Sequence, residues 1–323
     1  MLAVQDALRS TDLPRGAIGT LGNYDGIHRG QRAILDLVVA RARSASLPAV
    51  VVTFEPHPLA VLRPEQTPAR LSTLAQKERL LDAAGVDVVL IVHFTPEFSQ
   101  TPARLFVREF LSARLALQEI YVGSRFVFGH KREGDLALLK QLGEAYGFAA
   151  FGVEEVTHAG EPISSTRVRR AVADGEVDEA AEMLGRPYSI GGIIARGDRM
   201  GKRLGWPTAN LVPDNELLPL DGVYAGRVFV PSFEASFDCV TNIGTRPTVY
   251  ENYQRVVESY ILDFGADIYG ECVELSFCKR LREERIFPSV MDLSVQIGRD
   301  VEATREYFAA RRRLKQDAGV SPA

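Results

Sequence analysis

The sequence predicts a doubly wound α/β domain followed by an antiparallel β-barrel or sandwich with a C-terminal helix. Three observations predict it. Short uninterrupted apolar runs alternate with amphipathic stretches through the first half of the chain. Near Leu184 this texture gives way to glycine-rich turns and short alternating segments, and Ser289–Arg312 then returns to helical spacing. Continuous apolar runs suit strands buried on both faces, and repeated strand–helix–strand order builds a parallel sheet through crossovers.

The elements follow in order. Gly16–Gly22, Pro48–Phe54, Val86–Phe94, Glu119–Val122 and Ala149–Val153 are the expected strands of the first half. Gln31–Arg43, Leu74–Ala84, Pro102–Ala113 and Gly134–Tyr146 are the helices between them. Ligands of such sheets sit at the carboxyl ends of strands, so the loops just after strands are the places for chemistry. Ser165–Ala173 and Val177–Leu184 are two further helices, and Gly185-Arg186-Pro187 stops the second. The expected domains are residues 1–185 and 186–323. Ser189–Arg196, Gly222–Val230, Val256–Asp263 and Glu271–Arg282 read as strands of the second. On the last helix Val290, Leu293, Ile297 and Val301 share one apolar stripe.

Composition narrows the class. The 323 residues carry 38 Lys+Arg against 42 Asp+Glu, a formal charge of −4. That balance argues against a strongly basic nucleic-acid binder or a polybasic membrane anchor. Cys239, Cys272 and Cys278 are widely spaced and form no CxxC pair, which points to a reducing compartment rather than a disulfide framework or a zinc site. The N-terminus lacks the apolar core of a signal peptide, and no apolar run approaches the roughly 20 residues that span a bilayer. A cytoplasmic protein with small-molecule partners is expected. All five histidines (28, 57, 93, 130 and 158) fall in the first half, so chemistry in the second half proceeds without histidine.

Gly22-Asn23-Tyr24-Asp25-Gly26-Ile27-His28-Arg29-Gly30-Gln31 follows the first of these strands and opens the first helix. Glycines admit close approach of backbone to ligand, and a helix start offers free N–H groups to an anion. Gly22, Asp25, Gly26, His28, Gly30 and Gln31 are therefore candidates for polyphosphate binding, although the same residues also suit a plain strand-to-helix turn. Ser164, Ser165, Thr166 and Arg167 place three hydroxyls and a cation at a later helix start, either as a cap or as a phosphate clamp. His57 sits in Phe54-Glu55-Pro56-His57-Pro58, and Arg125 and Phe126 in Gly123-Ser124-Arg125-Phe126-Val127-Phe128-Gly129, both loops after strands.

In the second half, Gly197, Gly201 and Gly205 with Lys202 describe a pliable cationic loop that is not a Walker A motif. Thr208 and Asn210 follow it, two apart, as hard oxygen donors able to share one face of a strand and one Mg²⁺. With no histidine available, a carboxylate is the obvious proton acceptor, and Glu258 stands in an otherwise apolar alternation with Val256, Tyr260 and Leu262. The pattern leaves open which face of that strand is inward. Arg282 and Glu284 belong to a charged segment ahead of the last helix, either solvated or beside a site.

These segments, in this order, resemble the bifunctional riboflavin kinase/FAD synthetases of bacteria. That family carries G-N-F-D-G-x-H-x-G-H, E-P-H-P, G-x-D-F-x-F-G and I-S-S-T-x-I-R in a nucleotidylyltransferase domain. Its flavokinase barrel carries G-x-x-x-G-K/R-x-L-G-F/W-P-T-A-N and L-R-x-E-x-x-F. Asp221–Ala225, Thr241–Thr248 and Val257–Phe264 also resemble the family in order and spacing. The resemblance implies riboflavin plus ATP giving FMN in the barrel, and FMN plus ATP giving FAD and pyrophosphate in the α/β domain. It implies Mg²⁺ and ATP phosphates at Thr208 and Asn210, Glu258 as the base for the riboflavin 5′-hydroxyl, His28 and Arg167 at the adenylyl site, and flavin beside His57, Arg125, Phe126, Arg282 and Glu284.

Two positions depart from the pattern. Gln31 stands where the family has its second His, and Arg125 where it has Asp or Asn. A transition-state donor is worth about 2.7–4 kcal/mol, so weakened adenylylation is expected. Two alternatives stay open: a riboflavin kinase with a degenerate first domain, and a flavin- or nucleotide-binding regulator without turnover.

Overall fold

The structure, a computed structural model, describes residues 1–196, 205–246 and 254–317. Gly197, Gly201 and Lys202 lie outside the described residues. The chain divides into two compact units, residues 1–165 and 166–323.

The first unit is built on a six-stranded parallel sheet of β1 (Leu2–Val4), β2 (Ile18–Leu21), β3 (Ala49–Glu55), β4 (Val88–His93), β5 (Glu119–Gly123) and β8 (Ala149–Val153), with the short hairpin β6 (Val127–Phe128) and β7 (Gly134–Asp135) between the last two and a second hairpin, β9 (Thr157–His158) and β10 (Glu161–Pro162), after them. The order is β1-β4-β3-β2-β5-β8. The apolar runs are continuous because both faces are covered. Val51 packs with Leu35, Leu81 and Val89 on one face, while its neighbours Val50 and Val52 pack with Phe106, Phe110 and Leu139 on the other. From β2 the chain builds outward to β3 and β4, then returns to add β5 and β8 on the other side. The crevice beyond the carboxyl ends of β2 and β5 is thus the topological switch point, and the loops at 22–28 and 124–126 border it.

Two details differ from expectation. β1 adds a parallel edge strand to β4 that three residues at the N-terminus do not announce. The helix expected over Pro102–Ala113 is α-helical only over Ala103–Phe106 and continues as a wider π-turn over Val107–Arg114, which buries Val107, Phe110 and Leu111 together.

The second unit is a closed antiparallel barrel, which decides between barrel and sandwich. Its strands are β11 (Tyr188–Ala195), β12 (Ala209–Pro213), β13 (Gly222–Val230), β14 (Ala235–Arg246), β15 (Gln254–Ile261) and β16 (Cys272–Arg282), in the order β11-β12-β15-β14-β13-β16. Val257, Ser259 and Ile261 of β15 are buried with Cys239, Thr241 and Ile243 of β14 inside the barrel. Thr241 and Ser259 satisfy each other there, hydroxyl to hydroxyl at 2.8 Å. The alternate face of β15 is therefore the outer one, and the C-terminal helix Val290–Asp317 lies against the outside of β13 and β14. Val301 of that helix packs with Val223, Val240 and Leu262.

The contact division falls earlier than the 185/186 boundary expected from the sequence. The helix Val177–Leu184 packs on β11 and β16, burying Val177, Ala180, Met183 and Leu184. Gly175, just before it, lies against Arg280 and Tyr224.

Candidate active sites

The barrel register assembles the second-unit candidates. Asn210 of β12 pairs with Glu258 of β15, and Glu258 pairs on its other side with Asn242 of β14. Asn242 in turn faces Val223 of β13, which faces Arg282 of β16. These five positions form one row across the outer wall, with neighbouring strands about 4.8 Å apart. All five line a cavity of about 620 Å³, together with Thr208, Trp206, Tyr260 and Glu284. Val290, Leu293 and Ile297 of the C-terminal helix form its apolar side. Three of the four residues of the apolar stripe thus face an open cavity, while Val301 continues it into packed core.

The rim is ordered by charge. Arg282 donates to both oxygens of Asp300 at 2.7–3.1 Å, and Gln296 donates to Asp300 at 2.8 Å. Arg285 bonds Gln296 and lies over the Phe287 ring. Trp206 meets Tyr260 edge to face, ring centres 5.2 Å apart, and its Nε1 donates to Ser294 at 3.1 Å.

A second cavity of about 330 Å³ is lined by Ile194, Pro207, Thr208, Ala209, Ser259, Ile261 and the segment Phe264–Tyr269. Arg196 lies over the Tyr269 ring at its edge. Thr208 lines both cavities. Gly205, with φ +82°, supplies the left-handed turn leading to it. Among the described residues no cluster of three His, Cys, Asp or Glu side chains stands ready for a metal. The oxygen donors of Thr208 and Asn210 fit a hard cation that takes its remaining ligands from phosphate and water. Asn242 and Asp300 were not singled out from sequence: strand register brings Asn242 to this cavity, and packing of the C-terminal helix with the Arg282 contact brings Asp300.

In the first unit the loop after β2 is tightly wound. Tyr24, Gly26 and Ile27 all have left-handed backbone, which glycine takes freely and which costs Tyr24 and Ile27 on the order of 1–3 kcal/mol each. A Cβ on Gly26 would also stand 2.7 Å from Leu71. The Tyr24 hydroxyl bonds Thr20 at 2.6 Å, and burial pushes its phenol up. The buried Asp25 carboxylate accepts from the backbone N–H groups of Leu71 and Ser72 at 3.0–3.2 Å. Its carbonyl oxygen accepts the Ser165 hydroxyl at 2.9 Å. Asp25 therefore ties together two neighbouring loops. Gly22 ends β2, Ser164 is half-buried beside Ser165, and His28 caps the helix Arg29–Ala45 with Gln31.

His57 caps a short helix, its Nδ1 accepting from Leu59, and its Nε2 is 3.2 Å from the Asn23 amide. Arg125 reaches Glu155 across the loops that follow β5 and β8, and this ion pair raises its pKa. Phe126 stacks on Phe128 at 5.5 Å. Thr166 and Arg167 belong to the second unit, where Thr166 is exposed and Arg167 lies 3.8 Å from Glu179. By the spacing of the motif its arginine falls on Arg169 rather than Arg167.

Comparisons with known proteins agree over both units. An FAD synthetase family profile matches residues 10–167, and a riboflavin kinase family profile matches residues 184–308. The bifunctional riboflavin kinase/FMN adenylyltransferase of Escherichia coli (strain K12) is 39% identical over 293 residues, covering 91% of this chain and 93% of that protein. The protein of the same name from Haemophilus influenzae is 36% identical, covering 91% and 95%. A crystal structure described as a macrolide-efflux protein from Streptococcus pneumoniae superposes with a TM-score of 0.84 at 29% identity, covering 94% of this chain and 98% of that one. No helix among the described residues is long and apolar enough to cross a membrane. The chain belongs to the bifunctional riboflavin kinase/FMN adenylyltransferase family.

Proposed function

We propose that this chain makes FMN from riboflavin in its barrel and FAD from FMN in its α/β unit, with ATP as co-substrate of both steps in the cytoplasm. The observation that carries the reading is the row Asn210–Glu258–Asn242 on the wall of one cavity, with Thr208 joining that cavity to a second. The larger cavity, apolar on its helix side, suits a flavin ring, and the smaller one suits the nucleotide. Their shared residue then marks where the terminal phosphate meets the acceptor alcohol.

In phosphorylation the riboflavin 5′-hydroxyl oxygen bonds to the γ-phosphorus of ATP. The bond from that phosphorus to the β–γ bridging oxygen breaks, ADP leaves with the electron pair, and Glu258 takes the hydroxyl proton. Thr208 and Asn210 would hold Mg²⁺, which supplies charge neutralisation at the phosphates when bound. Asn242 and Asn210 flank Glu258 in the register. In adenylylation an FMN phosphate oxygen bonds to the α-phosphorus of ATP, and pyrophosphate leaves. His28 and the Ser164 hydroxyl are donors this unit offers to the phosphates, while Ser165, bonded to the Asp25 carbonyl, holds the loop behind them.

The test is incubation of the full chain with riboflavin, ATP and Mg²⁺ followed by separation of the flavins. FMN and FAD are expected. FMN alone would leave a kinase with a degenerate first unit, and unchanged riboflavin would leave a binding protein.

A further inference from the structure

His28 is held by three separate features. Its Nδ1 accepts the backbone N–H of Gln31 at 3.3 Å. The Gln31 side-chain Oε1 accepts the backbone N–H of His28 at 3.1 Å, which closes a reciprocal capping box at the start of the helix Arg29–Ala45. A Cβ at position 30 would stand 3.2 Å from the ring Cε1 and Nδ1, so Gly30 leaves the space in which the imidazole lies against the backbone. The residue is only 7% exposed. A neutral imidazole whose Nδ1 accepts a hydrogen bond carries its proton on Nε2. His28 is thereby a donor with one direction, and that direction depends on a turn closed by the Gln31 amide oxygen.

We propose that Gln31 is a positioning residue for adenylyl transfer, whose Oε1 locks the His28 backbone so that the ring presents Nε2–H to the phosphates. The inference rests on the assignment of adenylylation to the α/β unit. It changes the meaning of the departure at position 31. Glutamine there is not a donor that has lost its charge. It is the acceptor that completes the cap on which the remaining histidine turns.

Three substitutions separate the two meanings. Gln31→Glu keeps an acceptor oxygen, Gln31→Lys keeps a donor and loses the acceptor, and Gln31→Met keeps only the length. The first readout is ¹⁵N NMR of the full chain labelled at histidine, with the His28 signals identified by their loss in His28→Asn. The unaltered chain and Gln31→Glu are expected to show the Nε2–H tautomer, and Gln31→Met and Gln31→Lys a mixture. The second readout is FAD formation from FMN and ATP. Gln31→Met and Gln31→Lys are expected to lose about 10- to 100-fold in kcat, the scale of a misplaced transition-state donor, with the KM for ATP within about threefold. A thermal melt establishes that each variant is folded.

Unchanged His28 signals in Gln31→Met overturn the lock. So does a Gln31→Lys variant that makes FAD as fast as the unaltered chain, since a donor alone would then suffice. If the unaltered chain makes no FAD, the assigned activity fails instead, and the tautomer readout still decides whether Gln31 fixes the ring.

Discussion

Glu258 stands between Asn210 and Asn242 in the barrel register, half-buried on a cavity wall that also carries Tyr260 and Trp206. An acid in that position is costly unless it is paired or used, and its register neighbours on both sides are asparagines. Glu258→Gln keeps the shape but removes the proton acceptor. It is expected to lower kcat for FMN formation by about 10²- to 10⁴-fold, the usual worth of general-base catalysis, while the KM for riboflavin changes little. Steady-state kinetics with riboflavin as the varied substrate checks this, and near-normal turnover would assign the base elsewhere. The acid itself was legible in the sequence, because a histidine-free domain needs a carboxylate and this one interrupts an apolar face. Asn242 was not legible. Thr241 and Asn242 are both polar, and only pairing with β15 reveals that one bonds Ser259 inside the barrel while the other faces the cavity.

The same reason governs which elements could be read. Strands covered on both faces, such as β3 and β4, show as unbroken apolar runs, and their bounds were legible to within two residues. β14 was missed as a strand, because Val240-Thr241-Asn242 interrupts the alternation that Ser236 to Cys239 begins. What places those residues is the register with β13 and β15, of which local periodicity carries no trace. The C-terminal helix was legible as a stripe, but not the charged pair that ties it down. Arg282 of β16 and Asp300 of the helix form a two-pronged contact with side chains 20% and 6% exposed. Removing one member leaves the other charge nearly buried and unpaired, which costs about 3–5 kcal/mol. Asp300→Ala is therefore expected to lower the unfolding free energy of the barrel by about that amount, read as a lower urea midpoint at unchanged m. It should also raise the KM for riboflavin, because Val290, Leu293 and Ile297 lose their hold on the cavity. A midpoint within error of the unaltered chain would show that the helix is secured by its other contacts, among them Val301, Phe308 and the Arg305–Asp263 pair.

At the scale of the whole molecule, each unit has its own core and its own ion pairs. In the first, the Arg43 guanidinium holds the Asp87 carboxyl below its ordinary range, and Arg41 does the same for Glu119. A carboxyl whose folded pKa is depressed contributes stability that is fully present above its unfolded value, near pH 4, and lost as pH falls through the folded value. The stability difference between the unaltered chain and an Asp87→Asn, Glu119→Gln variant is thus expected to stay constant from about pH 8 to 5 and to close below about pH 4. Urea titrations across that range check it, and a gap closing near neutrality would assign the linkage to other groups. In the second unit the question is where the folding unit begins. The helix Val177–Leu184 covers β11 and β16 with Val177, Ala180, Met183 and Leu184, all at most 5% exposed. Uncovering side chains of the size of Met183 and Leu184 forfeits about 1.5–3 kcal/mol each, a large share of the stability of a small domain. A fragment of residues 166–323 is accordingly expected to melt cooperatively and to make FMN at a rate close to that of the full chain. A fragment of residues 186–323 should melt at a clearly lower temperature or aggregate through the bared strands. Equal melting temperatures would mean that the helix adds nothing to the barrel and that the kinase begins where the sequence texture changes, at Gly185.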